Sequence, residues 1–274
     1  MTRPPFKWPG GKTRLVPKIS KYLQSGRRLE EPFCGSCALS LNTQYDSYLL
    51  NDINHDLMSF YNNLKEDGDV FIEKCRVYFS PEFNTQEAFN RLRTYFNLKI
   101  KDRPDILLYL NRHCFNGLVR YNSKGLFNSP FGKYTAPYFP EEELQELKKN
   151  VLEKSTMSSK DFKQVFSEDV AQGDVVYCDP PYIPLSVTSS FTSYSSGGFS
   201  DKDQRDLSAC AKRARDYLNV PVIVSNSDTP LSREIYKDAS RIETVTTTRH
   251  IAAKSSSRGK VQEILALYLP KDPS

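Results

Sequence analysis

The 274-residue chain contains no run approaching the roughly 18 apolar residues that a membrane-spanning helix needs. No apolar core of a secretion signal follows the opening Met1-Thr2-Arg3-Pro4-Pro5, so the sequence predicts a soluble protein. Side chains that hold metals are scarce: the histidines are His55, His113 and His250, and none lies near another. The six cysteines are scattered, and Cys178 falls in a run that reads as a buried strand, which argues against a disulfide framework and for a reducing compartment. Cys34-Gly35-Ser36-Cys37 is formally C-x-x-C but has no second ligand pair, so no metal is expected. Gly10-Gly11-Lys12 lacks the four intervening residues of a Walker A loop, which argues against a nucleoside triphosphate grip.

What is present is globular: 38% hydrophobic residues, 26% charged, 16 Tyr and 16 Phe. The length suits one large α/β domain, or one domain carrying an insertion. A net charge of +5 favours a polyanionic partner, and the distribution of that charge matters more than its total.

The organising stretch is Asp179-Pro180-Pro181-Tyr182, which follows the β-branched run Asp174–Cys178. That run reads as a buried parallel strand, and ligands of open α/β sheets bind where such strands end. An acid, two prolines and an aromatic suit chemistry on a planar amine, whose lone pair is delocalised until acceptors draw its N–H groups aside. Asp179 supplies one acceptor. Pro181 has no N–H and holds Pro180 extended, which frees the Pro180 carbonyl to be the second. Tyr182 offers a face for a flipped base. A strand-ending turn with a surface tyrosine is the plainer alternative.

Ahead of this stretch, Phe6–Lys12 is a glycine turn with a lysine, and Leu15, Ile19 and Leu23 at four-residue spacing predict an amphipathic helix after it. Leu29-Glu30-Glu31 then reads as a strand entering the small-residue turn around Gly35, with Ala38–Asn42 helical. A second strand, Tyr48–Leu50, ends at Asn51-Asp52, where Asp52 is placed to accept both hydroxyls of a ribose. Together these features suggest a nucleoside cofactor without a phosphate grip. An amphipathic helix is predicted over His55–Lys65.

Between Arg91 and Tyr134 nine Lys and Arg stand against Asp102 and Asp105, a net of +7 interleaved with aromatics. Basic plus aromatic is a nucleic-acid signature. Ile106–Leu110 predicts a buried helix. Val119–Asn122 and Gly125–Asn128 flank a tight Ser-Lys turn and predict a β-hairpin, a ribbon that fits the major groove. Glu141–Glu153 predicts a helix returning from this insertion.

Phe6–Lys12, Glu31–Cys37 and Asp179–Tyr182, in that order with a long insertion before the last, look like the Dam family of DNA adenine-N6 methyltransferases, and the resemblance covers nearly the whole chain. It implies a doubly wound, seven-stranded α/β sheet of the S-adenosylmethionine-dependent methyltransferase type, with an inserted helical and β-hairpin target-recognition domain. By this resemblance residues 1–65 and 155–274 form the catalytic domain and 66–154 recognise the target. It implies that Asp179, Pro180 and Tyr182 carry catalysis and that S-adenosylmethionine is held by Trp8, Lys12, Glu31, Phe33, Gly35, Asp52, Asp161, Phe162 and Asp179. It further implies GATC in double-stranded DNA as the target. Arg120 would donate bidentately to a guanine, Leu118 and Pro130 would touch base edges, and Phe115 would wedge beside the flipped adenine. Asn116 and Tyr134 would position backbone or base, and Lys7 would contact an outer guanine. One position departs from the family: Cys37 stands where a second glycine is usual, and its sulfur is expected to crowd the methionine portion of the cofactor.

Ile183–Phe199 reads as a lid that orders over DNA and cofactor. Ser200–Asp203 resembles a capping box for a helix through Leu218, Pro221–Asn226 predicts a buried strand, and Thr229-Pro230 caps a short helix. Ile242–Thr248 and Glu263–Leu269 predict a terminal antiparallel pair joined by the basic turn Arg249–Lys260, suited to phosphates. The expected activity is adenine-N6 methylation of DNA in the cytoplasm, at the nucleoid. The alternatives are a methyltransferase of RNA, of a protein amide or of another DNA sequence, and a DNA-binding protein that no longer transfers methyl groups.

Overall fold

The computed structural model describes residues 1–98, 102–184, 198–248 and 260–271. Seven strands form one sheet: β1 (Arg28–Glu31), β2 (Ser47–Asn51), β3 (Ser155–Ser158), β4 (Asp174–Cys178), β5 (Val222–Ser227), β6 (Arg241–Thr248) and β7 (Lys260–Tyr268). Their order is β3-β2-β1-β4-β5-β7-β6. The first five are parallel, and β7 lies antiparallel between β5 and β6, the terminal pair that the sequence predicts. Strand order reverses between β1 and β4, which opens a crevice beyond their carboxyl ends. Residues 32–37 and 179–182 leave the sheet there.

The run Asp174–Cys178 is apolar on both faces because both are covered. Val175 and Tyr177 join one core with Leu29 and Leu50, while Val176 and Cys178 join the other with Val222 and Val224. Burying each large aliphatic side chain stabilises the fold by roughly 1.5–3 kcal/mol.

Behind the single-turn α1 (Val16–Ile19), the first core is roofed by α2 (His55–Asp67), α3 (Asp69–Arg76), α4 (Gln86–Leu98), α5 (Pro104–His113) and α6 (Glu141–Asn150). These helices and the sheet share one continuous apolar cluster, from Phe6 through Phe60, Phe89 and Leu107 to Leu265. Every residue of α5 is buried, which explains its apolar run. The other core is closed by α7 (Phe162–Gln164), α8 (Asp201–Leu218) and α9 (Pro230–Ile235). Ser200 caps α8 reciprocally with Asp203 and Thr229 caps α9, as the sequence predicts; the reciprocal bond from Ser232 to Thr229 was not anticipated. No helix among the described residues is long and apolar enough to cross a membrane.

Two local expectations are corrected. The helix expected through Leu23 is a single turn, α1, with Pro17 in its first turn. The helix expected over Ala38–Asn42 is a 3-10 turn, Ser40–Asn42, because Cys37 before it adopts φ 59° and Thr43 after it is extended. The expected hairpin is present as a short antiparallel ribbon: Asn122 N–H donates to the Leu126 carbonyl and Asn128 N–H to the Arg120 carbonyl, both at 2.9 Å, around the Tyr121–Phe127 bridge. The outward-pointing backbone groups of Phe127 are held by the Asn97 side chain, which accepts from its N–H and donates to its carbonyl, at 2.8 and 2.9 Å. The β3 strand was not anticipated, nor were α3 and α4. Most of the expected lid and most of the basic turn, residues 185–197 and 249–259, lie outside the described residues.

Candidate active site

The β4 strand delivers Asp179 to the crevice, and the amino-terminal glycine turn delivers Lys12 opposite it. The Lys12 ammonium, only 6% exposed, lies 3.0 Å from Asp179 Oδ1 and 3.0 Å from the Gly10 carbonyl. It also sits 4.3 Å from the centre of the Tyr182 ring. Glycines at 10 and 11 make this possible: Gly10 adopts φ +73°, and a Cβ on Gly11 would come within 3.2 Å of the Trp8 carbonyl.

Two partners come from strands far along the chain. Ser225 on β5 donates to Asp179 Oδ1 at 3.0 Å. Glu263 on β7 accepts from the Tyr182 hydroxyl at 2.7 Å and lies 3.9 Å from the Lys12 ammonium. Burial pushes the Tyr182 phenol well above its ordinary pKa, with Asp179 and Glu263 adding to the shift, so the hydroxyl stays a donor. Sequence reasoning missed both partners. An isolated serine and a glutamate inside a strand carry no local signal.

The backbone around Tyr182 is fastened on both sides. The Pro181 carbonyl accepts from Gln204 Nε2 at 2.8 Å, and Ile183 N–H donates to Asn226 Oδ1 at 3.0 Å. Asn226 and Tyr236 both donate to Gln204 Oε1, which fixes that buried amide in turn.

A second group of candidate residues lies at the carboxyl ends of β1 and β2. Asp52 accepts from Gly35 N–H at 3.0 Å and from Asn54 N–H at 2.9 Å, one bond to each carboxylate oxygen. Each oxygen therefore keeps a lone pair for a ligand hydroxyl. Gly35 adopts φ +46°, and a Cβ there would strike Trp8 Nε1 at 2.8 Å. Phe33, Phe162 and Phe199 form a cluster with ring centres 5.5–5.7 Å apart. A carboxylate with open lone pairs and a cluster of aromatic rings are the kinds of group from which a nucleoside site is built. Asp161 caps α7 by accepting from Lys163 N–H. Glu31 faces away from solvent, capping Ser40 N–H at 3.0 Å, and burial pushes its carboxyl up to about 7. The Cys37 side chain is fully buried in the core beside Cys34 and Tyr61.

The loop after α5 gathers the expected recognition residues. Asn111, fully buried, accepts from Lys7 N–H and donates to the carbonyls of Lys7 and Gly117. This fastens the amino-terminal segment to the turn carrying Phe115, whose ring is 55% exposed. Asn116 adopts φ 56° and donates its N–H to the Tyr134 hydroxyl, and Lys7 Nζ lies 4.6 Å from the centre of the Tyr134 ring. Arg120 is exposed and donates to Asn128 Oδ1 at 2.8 Å. Pro130 is exposed and its carbonyl accepts from Phe115 N–H, while Leu118 is half-buried. Lys7, Phe115, Asn116, Leu118, Pro130 and Tyr134 thus lie close in the fold, with Arg120 following on the hairpin.

A sheet of this order with an acid-and-tyrosine loop beyond β4 defines an α/β protein whose candidate site lies at the carboxyl ends of its strands. The chain belongs to the D12 class of N6 adenine-specific DNA methyltransferases, whose family model matches residues 8–251. It is 44% identical to the DNA adenine methylase of Serratia marcescens over 268 residues, covering 96% of this chain and 97% of the relative. The DNA adenine methylase of Vibrio cholerae serotype O1 is 42% identical over 268 residues, with 97% and 95% covered. That of Escherichia coli K12 is 41% identical over 271 residues, again with 97% and 95% covered.

Proposed function

We propose that the protein transfers the methyl group of S-adenosylmethionine to N6 of an adenine flipped out of double-stranded DNA, at GATC. The observation that carries this reading is the placing of the Asp179 carboxylate beside the Tyr182 ring at the carboxyl end of β4. When bound, S-adenosylmethionine supplies an electrophilic methyl group. The residues that would hold it are Asp52, Gly35 and the rings of Phe33 and Phe162, whose lone pairs and faces suit a nucleoside.

Asp179 accepts one hydrogen of the target amine and the Pro180 carbonyl accepts the other, which draws the nitrogen lone pair out of conjugation. Tyr182 stacks on the flipped base. Asp179 need not be a strong base, since positioning and polarisation carry most of such a transfer. On the DNA face, Phe115 is exposed and suited to fill the gap that the flipped base leaves. Arg120 exchanges Asn128 for a guanine edge, Leu118 and Pro130 offer apolar contact, and Lys7 reaches an outer guanine.

The test is a plasmid assay. Unmethylated plasmid incubated with protein and S-adenosylmethionine is digested with one nuclease that cuts GATC only when unmethylated and another that cuts only when methylated. Protection from the first and cutting by the second is expected. Transfer to other sequences alone would remove GATC, and binding without transfer would leave a DNA-binding protein.

A further inference from the structure

Two carboxylates flank the Lys12 ammonium, and the reading above uses only Asp179. Asp179 Oδ1 already takes hydrogen bonds from Ser225 at 3.0 Å and from Lys12 at 3.0 Å. Lys12 also covers the face of Tyr182 turned toward Asp179, with Nζ 4.3 Å from the ring centre. A base that stacks on that face and donates to Asp179 needs this same place. The ammonium is a stand-in for the target amine, and it has to move as the base arrives. Buried to 6% exposure, it cannot simply exchange Asp179 for water. Glu263, 3.9 Å away, is the neighbouring anion that can take it, and the same carboxylate oxygen already holds the Tyr182 hydroxyl at 2.7 Å.

We propose that Glu263 is a positioning residue for methyl transfer. It fixes the tilt of the Tyr182 ring and receives the Lys12 ammonium when the target amine claims Asp179. The inference rests on the reading of the chain as a DNA adenine methyltransferase. Without the Glu263 charge, Lys12 stays on Asp179 and competes with the base. The step after DNA binding then slows, while DNA affinity, set on the distant recognition loops, is retained.

The experiment compares Glu263→Gln, which keeps an acceptor for the Tyr182 hydroxyl but loses the charge, with Glu263→Asp, which keeps a charge at shorter reach. Single-turnover transfer to a duplex is measured alongside duplex affinity and the fluorescence of a duplex with 2-aminopurine at the target position. Glu263→Gln is expected to slow transfer by about tenfold or more, with duplex affinity within about threefold. It should also change the fluorescence of the bound duplex, which reports stacking of the flipped base. Glu263→Asp should retain more of the rate than Glu263→Gln. Because Glu263 acts through Lys12, the double variant Lys12→Met/Glu263→Gln should be no slower than the slower single variant.

An unchanged rate in Glu263→Gln, an Asp variant slower than the Gln variant, or effects that multiply in the double variant would each overturn the proposal. If Glu263→Gln does not fold, Glu263→Asp carries the same cycle. Absence of transfer by the parent protein would instead sink the proposed function, so the two failures are distinguishable.

Discussion

Asn111 pairs with Lys7 as a strand would, accepting its N–H at 2.9 Å and donating to its carbonyl at 2.7 Å across 104 residues of sequence. A third bond runs from Asn111 Nδ2 to the Gly117 carbonyl at 3.0 Å, and Gly117 packs so closely that a Cβ there would meet Lys7 Cδ at 2.4 Å. Replacing Asn111 by Ala leaves three backbone groups without their partner in a buried setting. A loss of roughly 2–4 kcal/mol is expected in urea denaturation. DNA affinity should fall as well, because Lys7 and Phe115 lose their common anchor.

Asp179→Ala removes the proposed acceptor for the target amine but little of the fold, since Lys12 keeps the Gly10 carbonyl and Glu263 nearby. Single-turnover transfer should fall by about a thousandfold or more, with the dissociation constant for a target duplex changed only a few-fold. Loss of DNA binding in a filter or fluorescence assay would make Asp179 a structural residue.

Cys37 sits at φ 59°, a conformation that L residues adopt at a cost of roughly 1–2 kcal/mol. Its side chain is fully buried, so Cys37→Gly relieves strain and opens a small cavity of similar cost. Stability should change by less than about 1 kcal/mol. Cys37→Val, with a branched side chain in the same conformation, should lose roughly 2 kcal/mol or more. Affinity for S-adenosylmethionine, measured by calorimetry, should be unchanged in Cys37→Gly, since the thiol faces the core.

Glu30 is fully buried on β1, 2.6 Å from Arg28, which also grips Asp174 at 2.7 Å. Burial, and an Asp174 carboxylate bound to the same guanidinium, push the Glu30 carboxyl up to about 8. A folded value raised above the unfolded one, ~4.3, stabilises the fold fully below that unfolded value, and the effect is lost as pH rises through 8. Between pH 7 and 8 this group should lower stability by roughly 1 kcal/mol. Glu30→Gln should flatten that limb of a denaturation profile taken against pH, and an unchanged slope would reject the assignment.

Elements set by local rules were legible in the chain. The capping box at Ser200, the cap at Thr229 and the apolar run Asp174–Cys178 each specify their structure within a few residues. The β3 strand, Ser-Thr-Met-Ser, has no apolar alternation and is defined by its pairing with β2 and by Asn51, which bonds to Ser158 and Lys160. The hairpin was legible because its turn and pairing are local, whereas the Asn97 side chain that holds the outer edge of Phe127, a partner 30 residues away, was not. At the site, Asp179 and Tyr182 announce themselves as neighbours in a motif. Glu263 and Ser225 join them only because the sheet places β5 and β7 beside β4.

Tyr182 is held at three points: the Pro181 carbonyl on Gln204, Ile183 N–H on Asn226, and its own hydroxyl on Glu263. Two of these fix the backbone on either side and the third fixes the far end of the ring, so its freedom is surrendered once, when the chain folds. A base arriving from DNA then loses its own entropy but not the enzyme's, and the cost of each encounter is smaller by that amount.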